Sequence, residues 1–302
     1  MEMEKLMNEC FDYCDKQSKA WNYKTGVMLM GAQKMYEAAG EDKYFSFIKS
    51  SMEELLAQDG ALKSYPAEAE NIEGISCGRI LYFLYDKTKE EKYRKAVDNV
   101  IDRLRECPRH DCGNFLYQTK EADESWLDAL YMTQPFYMEY ETAYDKKEKY
   151  NDIINQFENV RGFLYNKKEE FTGSGFSLKS VGAYLAALID TMDNMSFEIY
   201  EQYRTLQDAF KLTLKSILPY QDKSSKLFSL ADGADAAGNA MISYAVMKAC
   251  RMGIVLKEKY AVSAMKMIES LSDDAYADKG ALTGDAVGAG IFLMADSQYL
   301  QL

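Results

Sequence analysis

The sequence predicts an all-α fold in which six helical hairpins form a closed ring. Apolar residues recur at helical spacing, and the alternation of apolar and polar residues that marks strands is scarce. A Lys-Tyr pair that opens a helix also recurs, and Tyr200 or Tyr203 fills the one gap in the series. The pairs are Lys43-Tyr44, Lys92-Tyr93, Lys149-Tyr150 and Lys259-Tyr260. Successive tyrosines of this series, which we call the Tyr marks, lie about 50 to 57 residues apart. That distance leaves room for two helices and their turns.

Counting elements along the chain gives twelve helices. Five complete units are flanked by an N-terminal helix over about residues 2–19 and a last helix over residues 287–302. If the first helix packs against the last, the ring closes and no hairpin face is left without a neighbour. An open solenoid of hairpins is the alternative. No linker rich in Gly, Ser or Pro interrupts the chain, so we expect one domain over residues 1–302.

Composition excludes several classes of protein. The 302 residues carry 36 Lys and Arg against 48 Asp and Glu, a net charge of −12, which argues against a nucleic-acid groove. No apolar run reaches the roughly 20 residues that span a bilayer. Six cysteines without a Cys-x-x-Cys pair, and a single histidine, predict reduced thiols in a cytoplasmic protein with no metal site. We expect no cofactor, and a monomer or homodimer.

The candidate site is the mouth at which the inner helices begin. The first positions of the apolar helices are predicted to be Trp21, Glu73, Asp128, Ser180, Asp235 and Asp285. Four of the six are carboxylates, and an acidic ring at the mouth of a helical ring suits general acid chemistry. For any one of them, capping of a helix N-terminus is the more common role. Asp128 differs because its neighbours are apolar, so desolvation is expected to raise its pKa and make it a proton donor.

The segment around Asp128 resembles the signature of a known family. Residues 126–136 read Trp-Leu-Asp-Ala-Leu-Tyr-Met-Thr-Gln-Pro-Phe. This stretch is similar to the Trp-Leu-Asp-Gly-Leu-Tyr-Met-x-x-Pro-Phe signature of the unsaturated glucuronyl and rhamnogalacturonyl hydrolases, glycoside hydrolase families 88 and 105. Weaker similarities follow in the family's order at residues 21–26, 235–241 and 288–295.

The resemblance implies an (α/α)6 barrel and an oligosaccharide substrate made by a lyase. Family enzymes release a 4,5-unsaturated uronic acid, and the aspartate of the signature protonates the vinyl ether and then activates water. Asp128 would take that role, and Glu73 lies where the family usually has a second Asp. The residues expected to contact the substrate are Trp21, Tyr23, Trp126, Tyr131, Met132, Lys179 and Asp235. Of these, Trp21, Tyr23 and Trp126 are suited to stacking on a sugar face.

The sequence also departs from the family. The Trp-x-Arg-Gly-Asn-Gly-Trp stretch falls on residues 177–183, where both Trp residues and the Asn are missing and Lys179 replaces Arg. The family's Tyr-His pair appears as Tyr165-Asn166, and its Phe-x-His segment ends in Tyr117. Lys carries a positive charge but, unlike Arg, cannot bind a carboxylate through two parallel hydrogen bonds. Two alternatives therefore stay open, a saccharide- or partner-binding protein without turnover and a lyase or epimerase that uses a Tyr base.

Overall fold

Six inner helices surround the axis of an (α/α)6 barrel, as predicted. The computed structural model describes residues 2–66, 72–117, 123–166, 170–273, 276 and 278–302. The inner helices are α2 (Tyr23–Ala39), α4 (Ile75–Thr88), α6 (Ser125–Ala143), α8 (Leu178–Asp193), α10 (Ala236–Arg251) and α13 (Ala286–Gln301). Each contacts the next, and α13 contacts α2, so the ring is closed and the open-solenoid alternative is wrong.

In the part of the chain that the structure describes, six outer helices pack around this ring. They are α1 (Glu2–Asp15), α3 (Asp42–Leu55), α5 (Glu91–Glu106), α7 (Tyr150–Leu164), α9 (Tyr200–Ile217) and α11 (Lys257–Ser272). A four-residue helix, α12 (Gly280–Thr283), precedes the last inner helix. The recurring Tyr marks lie in the first turns of the outer helices or, for Tyr203, close behind, so they located the hairpins correctly. The helix α1 packs against α13, as expected for closure of the ring.

Burial explains why these segments take inner and outer positions. The inner helix α13 is buried at every residue from Ala286 to Gln298, because neighbours surround it on all sides. The outer helix α5 buries one stripe, at Tyr93, Ala96, Val97, Val100, Ile101 and Leu104, and turns its charged residues to solvent. None of the helices in the described ranges is long and apolar enough to cross a membrane.

The ring closes at a pair of glycines. A Cβ on Gly31 would lie 2.5 Å from the carbonyl oxygen of Gly290, and a Cβ on Gly290 would lie 2.7 Å from that of Val27. Only glycine lets the backbones of α2 and α13 approach this closely. The contact joins the first inner helix to the last one.

All six inner helices begin at one end of the barrel, which we call the mouth. In the described residues, isolated antiparallel bridges form after the outer helices α3, α5, α7 and α9. The bridged pairs are Leu56–Leu62, Arg109–Phe115, Tyr165–Phe171 and Gln221–Phe228. The sequence does not predict these bridges, because a single bridge leaves no periodic pattern of residues.

The predicted helix starts need correction at four of six positions. Asp235 and Asp285 are the N-caps of α10 and α13, as placed. Trp21 and Glu73 each lie just before a cap, whereas Asp128 and Ser180 lie inside the first turn of α6 and α8. The difference matters for Asp128, because a carboxylate beyond the cap is free to face a neighbouring helix.

Candidate active site

Asp128 is a half-buried carboxyl in the first turn of α6. Its neighbours Leu127 and Ala129 are buried, and this environment removes water from the acid. Burial raises the pKa of Asp128 to about 7, although a hydrogen bond from Ser180 and the positive charge of Lys179 act to lower that pKa. An acid with this pKa is partly protonated near neutral pH and can donate that proton.

The start of α8 lies beside Asp128. The Ser180 hydroxyl donates a 3.3 Å hydrogen bond to Oδ2 of Asp128. Glu124 accepts a 2.6 Å bond from the backbone N–H of Ser177, and Asp232 accepts from the N–H of Leu178. The N-terminus of α8 is therefore held by carboxylates from both sides, which accept from the N–H groups of Ser177 and Leu178.

The second predicted acid, Glu73, belongs to the same cluster. Tyr117 donates a 3.1 Å hydrogen bond from its hydroxyl to Oε1 of Glu73, and its backbone carbonyl accepts from Ser125 in the first turn of α6. Burial raises the pKa of Tyr23 well above its usual range, with further raising by the charges of Asp128 and Tyr117. Tyr23, Glu73, Tyr117 and Asp128 thus form one cluster at the mouth.

Two predicted substrate contacts at helix starts have different surroundings. Lys179 is exposed, and its ammonium is near enough to lower the pKa of Asp128. Asp235 accepts a short hydrogen bond from the N–H of Gly238 and so caps α10. Asp285 caps α13 in the same way through Gly288, at 2.9 Å. Capping occupies these two aspartates, whereas Asp128 bonds a side chain of another helix.

Both tryptophans lie in the walls of the barrel and not on an open sugar platform. Trp21 is 2% exposed, and its Nε1 donates to the backbone carbonyl of Leu55 at 3.3 Å. Trp126 is 8% exposed and packs against His110 and Phe163, with ring centroids 4.5 Å and 6.1 Å away. In this conformation neither ring offers a free face to a sugar. The stacking role expected of Trp21 and Trp126 stays a prediction.

Tyr131 and Met132 are also buried. The Tyr131 ring lies edge-on to that of Tyr23 at 6.2 Å and so forms part of the floor beneath the mouth. Below it, Asp190 binds Arg79 at 2.5 Å and Lys248 at 2.8 Å, and Tyr244 donates to it at 2.6 Å. These two cations hold the pKa of Asp190 below its ordinary range in spite of burial.

A separate cavity opens at the opposite end of the barrel. It has a volume of about 320 Å³ and is lined mostly by the C-terminal halves of the inner helices. Arg79, Glu139, Asp190 and Lys248 are among the lining residues, and Arg79 reaches it from the second turn of α4. The candidate acid Asp128 is not among them. The cavity therefore belongs to the end of the barrel away from the mouth.

Sequence reasoning missed two residues of the mouth, Ser180 and Tyr117. Ser180 was counted only as a helix start, and Tyr117 only as a departure from the family's Phe-x-His segment. The spacing of 52 residues between Asp128 and Ser180, which equals one repeat, was the available signal. Residues one repeat apart lie on neighbouring inner helices at the same height.

Comparison with known proteins identifies the family. The sequence pattern of Glycosyl Hydrolase Family 88 matches residues 2–175, which is more than half of the chain. This chain belongs to that family. The matched part contains Asp128, Glu73 and Tyr117 but ends before Ser180. Residues after 175 lie outside this match, and the relatives described next cover them.

The relatives of this family 88 protein include a curated enzyme and solved structures. It is 20% identical over 294 residues to the unsaturated rhamnogalacturonyl hydrolase YesR of Bacillus subtilis (strain 168), covering 92% of this chain and 82% of YesR. A family 105 glycoside hydrolase of C. acetobutylicum ATCC 824 superposes with a TM-score of 0.86 at 24% identity, over 100% of both chains. An unsaturated glucuronyl hydrolase specific for heparin superposes with a TM-score of 0.73 at 12% identity, over 99% of this chain and 96% of the other.

Proposed function

We propose that this protein hydrolyses oligosaccharides that carry a 4,5-unsaturated uronic acid at the non-reducing end, with Asp128 as general acid and base. One observation carries the proposal: the signature aspartate lies in the first turn of α6 at the mouth, where burial raises its pKa to about 7. Family membership and the activity in the name of YesR support the substrate class.

The reaction that Asp128 would perform is the hydration of a vinyl ether. The protonated carboxyl delivers its proton to C4 of the C4=C5 double bond, which places positive charge on C5 and the ring oxygen. The resulting carboxylate takes a proton from water, whose oxygen bonds to C5. The hemiketal at C5 opens to a ketone, and the former anomeric carbon, now a hemiacetal, releases the rest of the oligosaccharide as an alcohol. One water is consumed and the acid is regenerated.

The remaining mouth residues suit this substrate. Lys179 places a cation beside Asp128, and that cation can attract the uronate carboxylate. Tyr23 and Tyr117 offer hydroxyls to the sugar, and Glu73, bound by Tyr117, offers a carboxylate acceptor. A lysine binds a carboxylate without the fixed geometry of a guanidinium, so we expect a weaker preference among uronyl sugars than an arginine would give.

The test is turnover of lyase digests of pectin and of glycosaminoglycans, followed by loss of the ultraviolet absorbance of the unsaturated ring. The wild-type protein should bleach at least one digest, and Asp128→Asn should not. Saccharide binding without bleaching in any digest would favour the second candidate, a binding protein on the same barrel. The loss of both Trp residues and the Asn from the family stretch at residues 177–183 supports that candidate.

A further inference from the structure

Two serines at the start of α8 form a chain of hydroxyls that ends on Asp128. The N–H of Ser180 donates to Oγ of Ser177 at 3.1 Å, in the bond that caps the helix. The hydroxyl of Ser177 in turn donates to Oγ of Ser180 at 3.0 Å. The hydroxyl of Ser180 then donates to Oδ2 of Asp128 at 3.3 Å.

The direction of donation along this chain follows from the capping bond. Oγ of Ser177 accepts from a backbone N–H, so its own proton is available for Ser180. Oγ of Ser180 accepts that proton, and its remaining hydrogen turns to the carboxyl of Asp128. An ionised carboxylate can only accept, so this arrangement fits the charged form of the acid.

Ser180 is held firmly enough to position a partner. It is 4% exposed, and the helix turn that carries it is fixed by Glu124 on the N–H of Ser177 and by Asp232 on the N–H of Leu178. A hydroxyl on a rigid, buried turn keeps its orientation without reorganisation when charge develops next to it. The bond to Oδ2 leaves Oδ1 as the oxygen that carries the transferable proton.

We propose that Ser180, oriented by Ser177, is a positioning residue that fixes Asp128 and stabilises the carboxylate left after proton transfer to substrate. This inference rests on the proposed function. The family motif that residues 177–183 resemble has Gly where this chain has Ser180, so the hydroxyl is not part of that motif. The same hydrogen bond that strengthens on ionisation favours the charged form of Asp128 and so opposes the effect of burial.

The first test measures the acid itself and needs no substrate. Carboxyl NMR of protein labelled at Asp, with Asp128→Asn used to assign the resonance, follows the titration of Asp128 in wild type and in Ser180→Ala. The variant should titrate about one pH unit higher, since one hydrogen bond to a charged group is lost. An unchanged titration in a folded Ser180→Ala protein overturns the proposal, whether or not the protein is an enzyme.

The second test uses turnover. Ser180→Ala should lower kcat about tenfold with little change in KM, and should move the alkaline limb of the pH profile upward. Ser180→Thr, which keeps the hydroxyl, should restore the wild-type pH profile. The matched control is Ser243→Ala. This change removes a buried hydroxyl in α10 that donates to the backbone carbonyl of Ala264 in α11. A control that shifted the titration of Asp128 as much as Ser180→Ala would also overturn the proposal.

Discussion

Tyr117 donates its phenolic proton to Oε1 of Glu73 across 3.1 Å and so joins a loop after α5 to the start of α4. The Phe-x-His segment that residues 115–117 resemble ends in His, and in this chain Tyr117 supplies a hydroxyl donor there. This hydrogen bond orients the carboxyl of Glu73 within the mouth cluster.

Asp128→Asn is predicted to remove activity and leave the fold intact. The amide keeps the shape of the side chain but has no acidic proton to give, so kcat should fall by about 10²–10⁴. Rates on a lyase digest and circular dichroism check this. The matched control is Asp285→Asn, since asparagine also caps helices well and Asp285 serves α13. Full activity in Asp128→Asn would exclude this residue as the acid.

Activity is predicted to fall as pH rises through about 7. Burial raises the pKa of Asp128 to about 7, and only its protonated form can donate. The pH dependence of kcat/KM should therefore show an alkaline limb near that value. An activity that increases from pH 6 to pH 8 would contradict the assignment.

Tyr117→Phe is predicted to weaken substrate binding more than folding. The change removes the hydroxyl that orients Glu73, so KM should rise about three- to tenfold, the equivalent of one hydrogen bond. Kinetics and thermal melting measure the two effects. The control Tyr244→Phe removes a hydroxyl that donates to the buried carboxylate Asp190, and it should lower the melting temperature. A stability loss in Tyr117→Phe equal to that of the control, with unchanged KM, would argue for a structural role.

Asp190→Ala is predicted to destabilise the barrel strongly. It leaves Arg79 and Lys248 buried without their shared carboxylate, and breaking a buried ion pair from one side costs about 3–5 kcal/mol. Urea unfolding measures the loss. Lys266→Ala, which breaks an exposed pair with Glu269, should cost at most about 1 kcal/mol. Equal costs in the two variants would contradict this account of the central network.

Asp296→Asn is predicted to stabilise the protein increasingly as pH rises from about 4 to about 7. Asp296 is 3% exposed on α13, and burial raises its pKa to about 7. The unfolded chain releases this proton near pH ~4 and the folded protein only near pH 7, so the contribution of the acid to stability is lost between these two pH values. Thermal melts should show a higher melting temperature for the variant at pH 8.5 and little difference near pH ~4. A gain of the same size at both pH values would count against titration of Asp296.

The sequence predicted the fold because hairpin periodicity is a local property. Helical spacing of apolar residues and the recurring Lys-Tyr marks lie along the chain, so the six hairpins, and Asp128 as an acid among apolar neighbours, could be read without coordinates. Closure of the ring also depends on residues visible in the sequence, since Gly31 and Gly290 lie where the backbones of α2 and α13 approach each other closely.

The partners of each mouth residue depend on packing between helices that are far apart in sequence. Ser180 meets Asp128 across 52 residues, and Tyr117 meets Glu73 across 44. Whether Trp21 and Trp126 face the mouth or the wall depends on side-chain direction, which periodicity alone does not give. The sequence thus determined the barrel and its candidate acid, whereas the tertiary structure decided which hydroxyls reach that acid, because hydrogen bonds depend on distances between helices and not on spacing along one of them.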